Sequence, residues 1–246
     1  MTTSPIARNP LDTAMVFAAG LGSRMRPITN SLPKPLVKIG GKAMLDHMLD
    51  RLDDGGVARA IVNVHHLADQ IETHLKGRTH PQIVISDERG KLLDQGGGIR
   101  KVLPLIGDND FFICNTDAVW IEGPNSAIAA MRKAWRPQDM DVLLLVAATS
   151  GSVGVDWPGD FHMTPEGVLT KRAEREVSAF VYAGVGIIKA SLFADAQDEV
   201  FRLAPYFFRA AEAGRLHGLR LNGQWLHVGS PEAIEEAERA YARPVA

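Results

Sequence analysis

Five continuous apolar runs mark the first 146 residues: Ala14-Met15-Val16-Phe17-Ala18, Ile61-Val62-Asn63-Val64, Gln82-Ile83-Val84-Ile85, Phe111-Phe112-Ile113-Cys114 and Val142-Leu143-Leu144-Leu145-Val146. Unbroken apolarity, in place of strict alternation, predicts strands of a central sheet covered on both faces. Between these runs the apolar positions take a helical period. Met44, Leu45, Met48, Leu49 and Leu52 share one stripe within 43–52, and comparable patterns cover 67–75, 99–105 and 126–135. Strands alternating with helices predict an α/β fold, a Rossmann-like, doubly wound and mostly parallel mixed sheet.

Beyond residue 150 the pattern changes to turns at Gly151, Gly154, Pro158, Gly159, Pro165 and Gly167 between short β-like segments at 161–163 and 168–170. They predict a small β-rich lobe on the substrate side, an insertion over 151–180. A strand over 180–188, helices over 192–196 and 206–213, and a strand pair over 216–221 and 225–228 follow. Ser230-Pro231 supplies an N-cap and a first-turn proline for a last helix over 232–242. Residues 1–11 read as a polar tail and 12–246 as a single domain.

Composition narrows the class. The 246 residues are 46% hydrophobic and 23% charged, with 27 Lys and Arg against 29 Asp and Glu, a net charge of −2. This describes a soluble globular protein without the general basic surface of a nucleic-acid binder. No apolar run approaches the about 18 residues of a membrane span. Cys114 is the single cysteine, and the N-terminal MTTSPIARNP lacks the apolar core of a signal peptide, so a cytoplasmic location is expected.

The near-zero charge conceals an uneven distribution. From Ala14 to Leu45 there is no Asp or Glu, yet Arg24, Arg26, Lys34, Lys38 and Lys42 all fall there. The segment Ala18-Ala19-Gly20-Leu21-Gly22-Ser23-Arg24 directly follows the first strand, at the sheet edge where α/β folds hold ligands. Gly20-x-Gly22 alone is a weak signal, equally an ordinary tight turn, since it lacks the third glycine of a dinucleotide fingerprint and the Gly-Lys-Ser/Thr of a P-loop. Lys34, between Pro33 and Pro35, is expected on a stiff, non-helical segment that presents its ammonium to an anion. Lys38 and Lys42 read as a solvated face.

Three further segments carry candidate chemistry. Asp94-Gln95-Gly96-Gly97-Gly98 precedes a helical pattern and reads either as a flexible loop or as an open backbone for a flat nucleobase, with Gln95 at its edge. Asn115-Thr116-Asp117 ends a buried strand, placing Asp117 as a Mg²⁺ ligand or a cap. Adjacent His65 and His66 show no metal-ligand spacing.

Taken together, Ala18-Ala19-Gly20-x-Gly22-x-Arg24-Met25-x-Pro27-x-Thr29 and Leu32-Pro33-Lys34-Pro35-Leu36 resemble the signature of the sugar-1-phosphate nucleotidyltransferases. The resemblance implies an enzyme that joins a nucleoside triphosphate to a sugar 1-phosphate. Ala19, Gly20, Gly22, Ser23, Arg24 and Lys34 would hold the triphosphate, with Arg24 and Lys34 acting on the reacting phosphates. Asp94, Gln95, Gly96 and Gly97 would lie at the base, although Asp94-Gln95 stands where the family has Glu-Thr. Asn115, Glu174 and Gly184 would contact the sugar. Asp117 would bind Mg²⁺, as in the family's Asn-Gly-Asp-like segment. Where the family reads Trp-x-Asp-Val-Gly-Thr-Pro, this chain has Trp225-Leu226-His227-Val228-Gly229-Ser230-Pro231. His227 thus replaces a metal carboxylate, leaving a one-carboxylate Mg²⁺ site, a hydrogen bond to the sugar phosphate, or a softer ion such as Mn²⁺ or Co²⁺. An unperturbed imidazole would gain its charge near pH 6.5. The overall pattern is most similar to the uridylyltransferases of N-acetylmuramate 1-phosphate. Mannose-1-phosphate guanylyltransferases, or a decayed nucleotide-sugar-binding regulator, are the alternatives.

Overall fold

The computed structural model describes residues 11–242, so the tail expected over 1–11 lies, apart from Leu11, outside the described residues. Six strands run parallel: β1 (Thr13–Phe17), β4 (Arg59–Val64), β5 (Gln82–Asp87), β6 (Phe111–Asn115), β8 (Val142–Ala148) and β12 (Leu216–Arg220). An antiparallel strand, β11 (Phe180–Ile188), lies between β6 and β8. The order β12-β8-β11-β6-β1-β4-β5 is therefore the expected mixed, mostly parallel sheet. The hairpin β9 (Phe161–Met163) and β10 (Leu169–Lys171) continues it through Phe161 opposite Phe180.

Successive strand residues point to opposite faces, and the helices cover both. Ala14 and Val16 join the cluster under α1 (Met44–Asp54), α2 (Ala68–Leu75) and α4 (Ala127–Ala134). Met15 faces the other way, onto α3 (Asp94–Ile106) and α5 (Ala204–Glu212). A third cluster packs α6 (Pro231–Tyr241) against a small two-stranded sheet of β7 (Ala118–Glu122) and β13 (Gly223–His227). The short hairpin β2 (Lys38–Ile39) and β3 (Lys42–Ala43) completes the described elements. As expected, Ser230 caps α6, its hydroxyl accepting from the Ala233 N–H.

Four expectations change. The segments at 216–221 and 225–228 are strands but do not pair with each other: β12 joins β8, and β13 joins β7. A single 3₁₀ turn over Ala190–Phe193 replaces the helix expected at 192–196. Lys34–Leu36 also forms a 3₁₀ turn, closed by Leu36 and Val37 N–H groups on the carbonyls of Pro33 and Lys34. Prolines remove donors there but leave those carbonyls free to accept. Finally, α3 begins at Asp94, so the glycine cluster is its first turn rather than a loop before it.

Candidate active site

The carboxyl ends of β6, β1, β4 and β5 lie side by side, and their terminal residues line one cavity of about 670 Å³. Phe17 closes β1, Asn63 lies near the end of β4, Glu88 follows β5 and Asn115 closes β6. The loop after β1 supplies Ala18, Ala19, Gly20, Gly22, Ser23, Arg24 and Lys34, and the start of α3 supplies Asp94 and Gln95. Crevices beyond strand carboxyl ends are the usual ligand seats of such sheets.

Two arrangements set the first loop. Gly22 has φ +61° and its carbonyl accepts from Thr29 Oγ1 at 2.8 Å; a Cβ there would lie 2.8 Å from Thr29 Cγ2 and 3.1 Å from Lys34 Cβ. Glycine is thus required by backbone and by space. At Gly20 nothing lies within 4 Å of a would-be Cβ, so its backbone faces open cavity. Beneath the loop runs a buried relay. Ala18 N–H donates to Asn63 Oδ1 (2.7 Å), Asn63 Nδ2 donates to Glu88 Oε1 (2.9 Å), and Leu93 N–H donates to Glu88 Oε2 (3.2 Å). Both glycine-rich segments hang from Glu88, which is 2% exposed. Sequence reading missed Asn63 and Glu88. The available signal was an amide interrupting an apolar strand run and an acid closing the next one.

Lys34 Nζ meets Asp117 Oδ2 at 2.7 Å. Burial pushes the Asp117 carboxyl up, but Lys34, with His227 and Arg24, outweighs it, and the net shift is below the usual carboxylate range. His227 reaches this position through register: it pairs with Ala118, the neighbour of Asp117, across β7 and β13. Its ring meets the edge of Trp157 at 5.3 Å and lies beside Trp225. Burial lowers its pKa below 6.5, aided by Lys34 and Arg24 and opposed by Asp117 and Asp156. The imidazole is therefore charged only at lower pH than an unperturbed histidine. A second cavity of about 690 Å³, lined by Trp157, Asp156, Gln224 and His227, shares Arg24 and Gly229 with the first.

The remaining predicted residues separate. Gln95 Nε2 donates to Asn115 Oδ1 at 2.8 Å, joining the base-side and sugar-side candidates. Gly184 in β11 lies against the Asn115 side chain. Gly96 and Gly97 are buried, and their N–H groups go to the Phe201 carbonyl, at 2.9 and 3.3 Å, rather than to the cavity. Glu174 is exposed in a loop beyond β10 and lines neither cavity. Lys42 pairs with Asp50, in keeping with a solvated face. His65 and His66 bond separate carbonyls, of Glu88 and Thr29. Among the described residues no three His, Cys, Asp or Glu side chains cluster as metal ligands, and no helix is long and apolar enough to cross a membrane.

Comparison with known proteins agrees with this architecture. The profile of the MobA-like NTP transferase domain matches residues 14–236. The chain is 46% identical over 233 residues to N-acetylmuramate alpha-1-phosphate uridylyltransferase of Caulobacter vibrioides, covering 93% of this chain and 96% of that one. It is 29% identical over 228 residues to the protein of the same name from Neisseria meningitidis serogroup B, covering 92% and 96%. The crystal structure of a UDP-glucose pyrophosphorylase complexed with UDP-glucose superimposes with a TM-score of 0.75 at 17% identity, over 94% of this chain and 98% of that one.

Proposed function

The chain belongs to the MobA-like NTP transferase domain family, and from that membership and the cavity's geometry we propose that it converts a nucleoside triphosphate and a sugar 1-phosphate into a nucleotide sugar and pyrophosphate. The observation that carries the reading is the convergence of Arg24, Lys34 and Asp117 at a cavity lined by the loop after β1, whose backbone is open at Gly20. UTP and N-acetylmuramate 1-phosphate are the substrates, by the 46% identity to the Caulobacter vibrioides uridylyltransferase.

A phosphate oxygen of the sugar 1-phosphate attacks the α-phosphorus. A new P–O bond forms, the bond from that phosphorus to the oxygen bridging to the β-phosphorus breaks, and pyrophosphate leaves with its electron pair. The attacking phosphate is already anionic at neutral pH, so no side-chain base or nucleophile is needed. The protein's work is alignment and charge neutralisation. Arg24, on an exposed 3₁₀ turn, suits the β- and γ-phosphates. Lys34, anchored by Asp117, suits the oxygens at the α-phosphorus. Gln95 and Asp94 suit the edge of the base, and Asn115 suits the sugar.

The donor set fits a divalent cation in one way. Asp117 offers a single carboxylate, one of whose oxygens already accepts from Lys34, and His227 adds a nitrogen beside it. Mg²⁺ takes one or two carboxylates and completes its oxygen shell with phosphates and water, so Asp117 would hold it together with the substrate. Mn²⁺ or Co²⁺ would make more use of His227. When bound, the cation would offset phosphate charge.

The test is pyrophosphate release by metal-replete protein across the four triphosphates and a panel of sugar 1-phosphates. Turnover is expected with UTP and N-acetylmuramate 1-phosphate; silence across the whole panel overturns the reading.

A further inference from the structure

The irregular segment that crosses the start of α3 is more firmly attached than its lack of secondary structure suggests. The Phe201 carbonyl accepts from the N–H groups of Gly96 and Gly97. Arg100 Nη1 donates to the Asp198 carbonyl at 3.0 Å, and Lys91 pairs with Glu199 at 2.5 Å. A Cβ on Gly96 would strike the Phe201 ring, and one on Gly97 would strike the Glu199 carbonyl. The two glycines thus form the track on which residues 198–201 lie.

One side chain in that segment is left without a place in the core. Val200 is 44% exposed, among the few large apolar side chains so exposed in the described residues, and it projects into the cavity at the β-strand ends. A second of those few, Leu21, also 44% exposed, lines the same cavity from the loop after β1. Isolated exposed aliphatics are ordinary on a surface. Two from separate elements lining one cavity offer a ligand apolar contact there.

We propose that Val200 is a binding residue that packs against the nucleobase, and that Gly96 and Gly97 are positioning residues that hold it there. The proposal deepens the nucleotidyltransferase reading and rests on it for the choice of ligand. A base is flat, with apolar faces and a polar edge. Asp94 and Gln95, which begin the same helix, offer edge partners, and an aliphatic side chain beside them offers a face contact. A valine gives nothing to a phosphate, and Arg24, Lys34 and Asp117 already gather at that end. The second glycine cluster then serves the base through a tertiary contact rather than through its own backbone.

Glycine variants that lose the fold would not be informative, so the test uses Val200. Kinetics with triphosphate and sugar 1-phosphate varied separately, and equilibrium binding of UTP, are measured for the wild type, Val200→Ala and Val200→Ile. Loss of two methyl contacts should raise the triphosphate KM and the UTP Kd by about 5- to 10-fold in Val200→Ala, with the effect on KM rather than kcat. Val200→Ile should restore both, and the thermal midpoint should not move. A rise confined to the KM of the sugar 1-phosphate, or UTP binding equal to the wild type in Val200→Ala, overturns the proposal. Failure of the wild type to turn over any triphosphate would count against the proposed reaction, while the UTP Kd would still decide the role of Val200.

Discussion

The two glycine-rich segments both hang from Glu88 beside one cavity and look alike on paper, yet they do different work. At Gly20 the space beside the Cα is open and the backbone faces the ligand seat. At Gly96 and Gly97 the space is filled by Phe201 and Glu199, and the N–H groups are used by the chain itself. A glycine run records only that something approaches the backbone closely. Whether it is a ligand or another stretch of protein depends on what the fold brings there.

The sharpest way to break this comparison is at the charged end of the open side. Lys34→Ala should lower kcat/KM by about 10²- to 10³-fold, the range for removing one preorganised charge-stabilising donor, with circular dichroism unchanged. Activity within tenfold of the wild type would remove Lys34 from the reacting phosphates.

The glycines themselves come next. Gly97→Ala should cost about 1–3 kcal/mol of stability in urea denaturation, because its methyl must displace the Glu199 carbonyl. Gly20→Ala should change stability by no more than about 0.5 kcal/mol and weaken nucleotide binding. Equal stability losses at the two positions would erase the distinction.

The smallest effect is expected at His227, beside the Lys34–Asp117 pair. Its pKa in the folded protein lies below the 6.5 of an unhindered imidazole, chiefly through burial. The unfolded chain therefore takes up a proton more readily, and the stabilisation is fully present above about pH 6.5 and lost as the pH falls from there through the lower pKa of the folded protein. In metal-free buffer, the stability difference between wild type and His227→Asn should shrink from pH 7.5 to 5.5. A difference independent of pH would mean that His227 titrates alike in both states.

Much of the sheet was legible because continuous apolar runs are a local signal. All five predicted runs are strands, and Ala14, Met15 and Val16 alternate between the two cores as the pleat requires. Strand β7 was missed because only Thr116 and Asp117 separate it from β6, and its pairing depends on β13 far along the chain. The start of α3 was placed too late because glycine is a poor helix former, and docking of Phe201 overrides that preference. Arg24, Lys34, Asp117 and Gln95 stand out by residue type and position along the chain and Asn115 by the family resemblance, and all five line one cavity. Asn63 and Glu88 do not stand out, since each looks like an ordinary polar residue near a strand end.

By itself, then, the sequence determined the alternation of strands and helices, the acid-free cationic stretch and the glycines that must follow the first strand, all consequences of side-chain type and near-neighbour sterics. The tertiary structure alone decided that Glu88 would hold both glycine segments, that His227 would stand beside Asp117, and that Gly96 and Gly97 would carry Val200 rather than face the cavity. These are distances between residues remote in the chain. Strand order and register determine them, through the burial of a shared core that no single segment encodes.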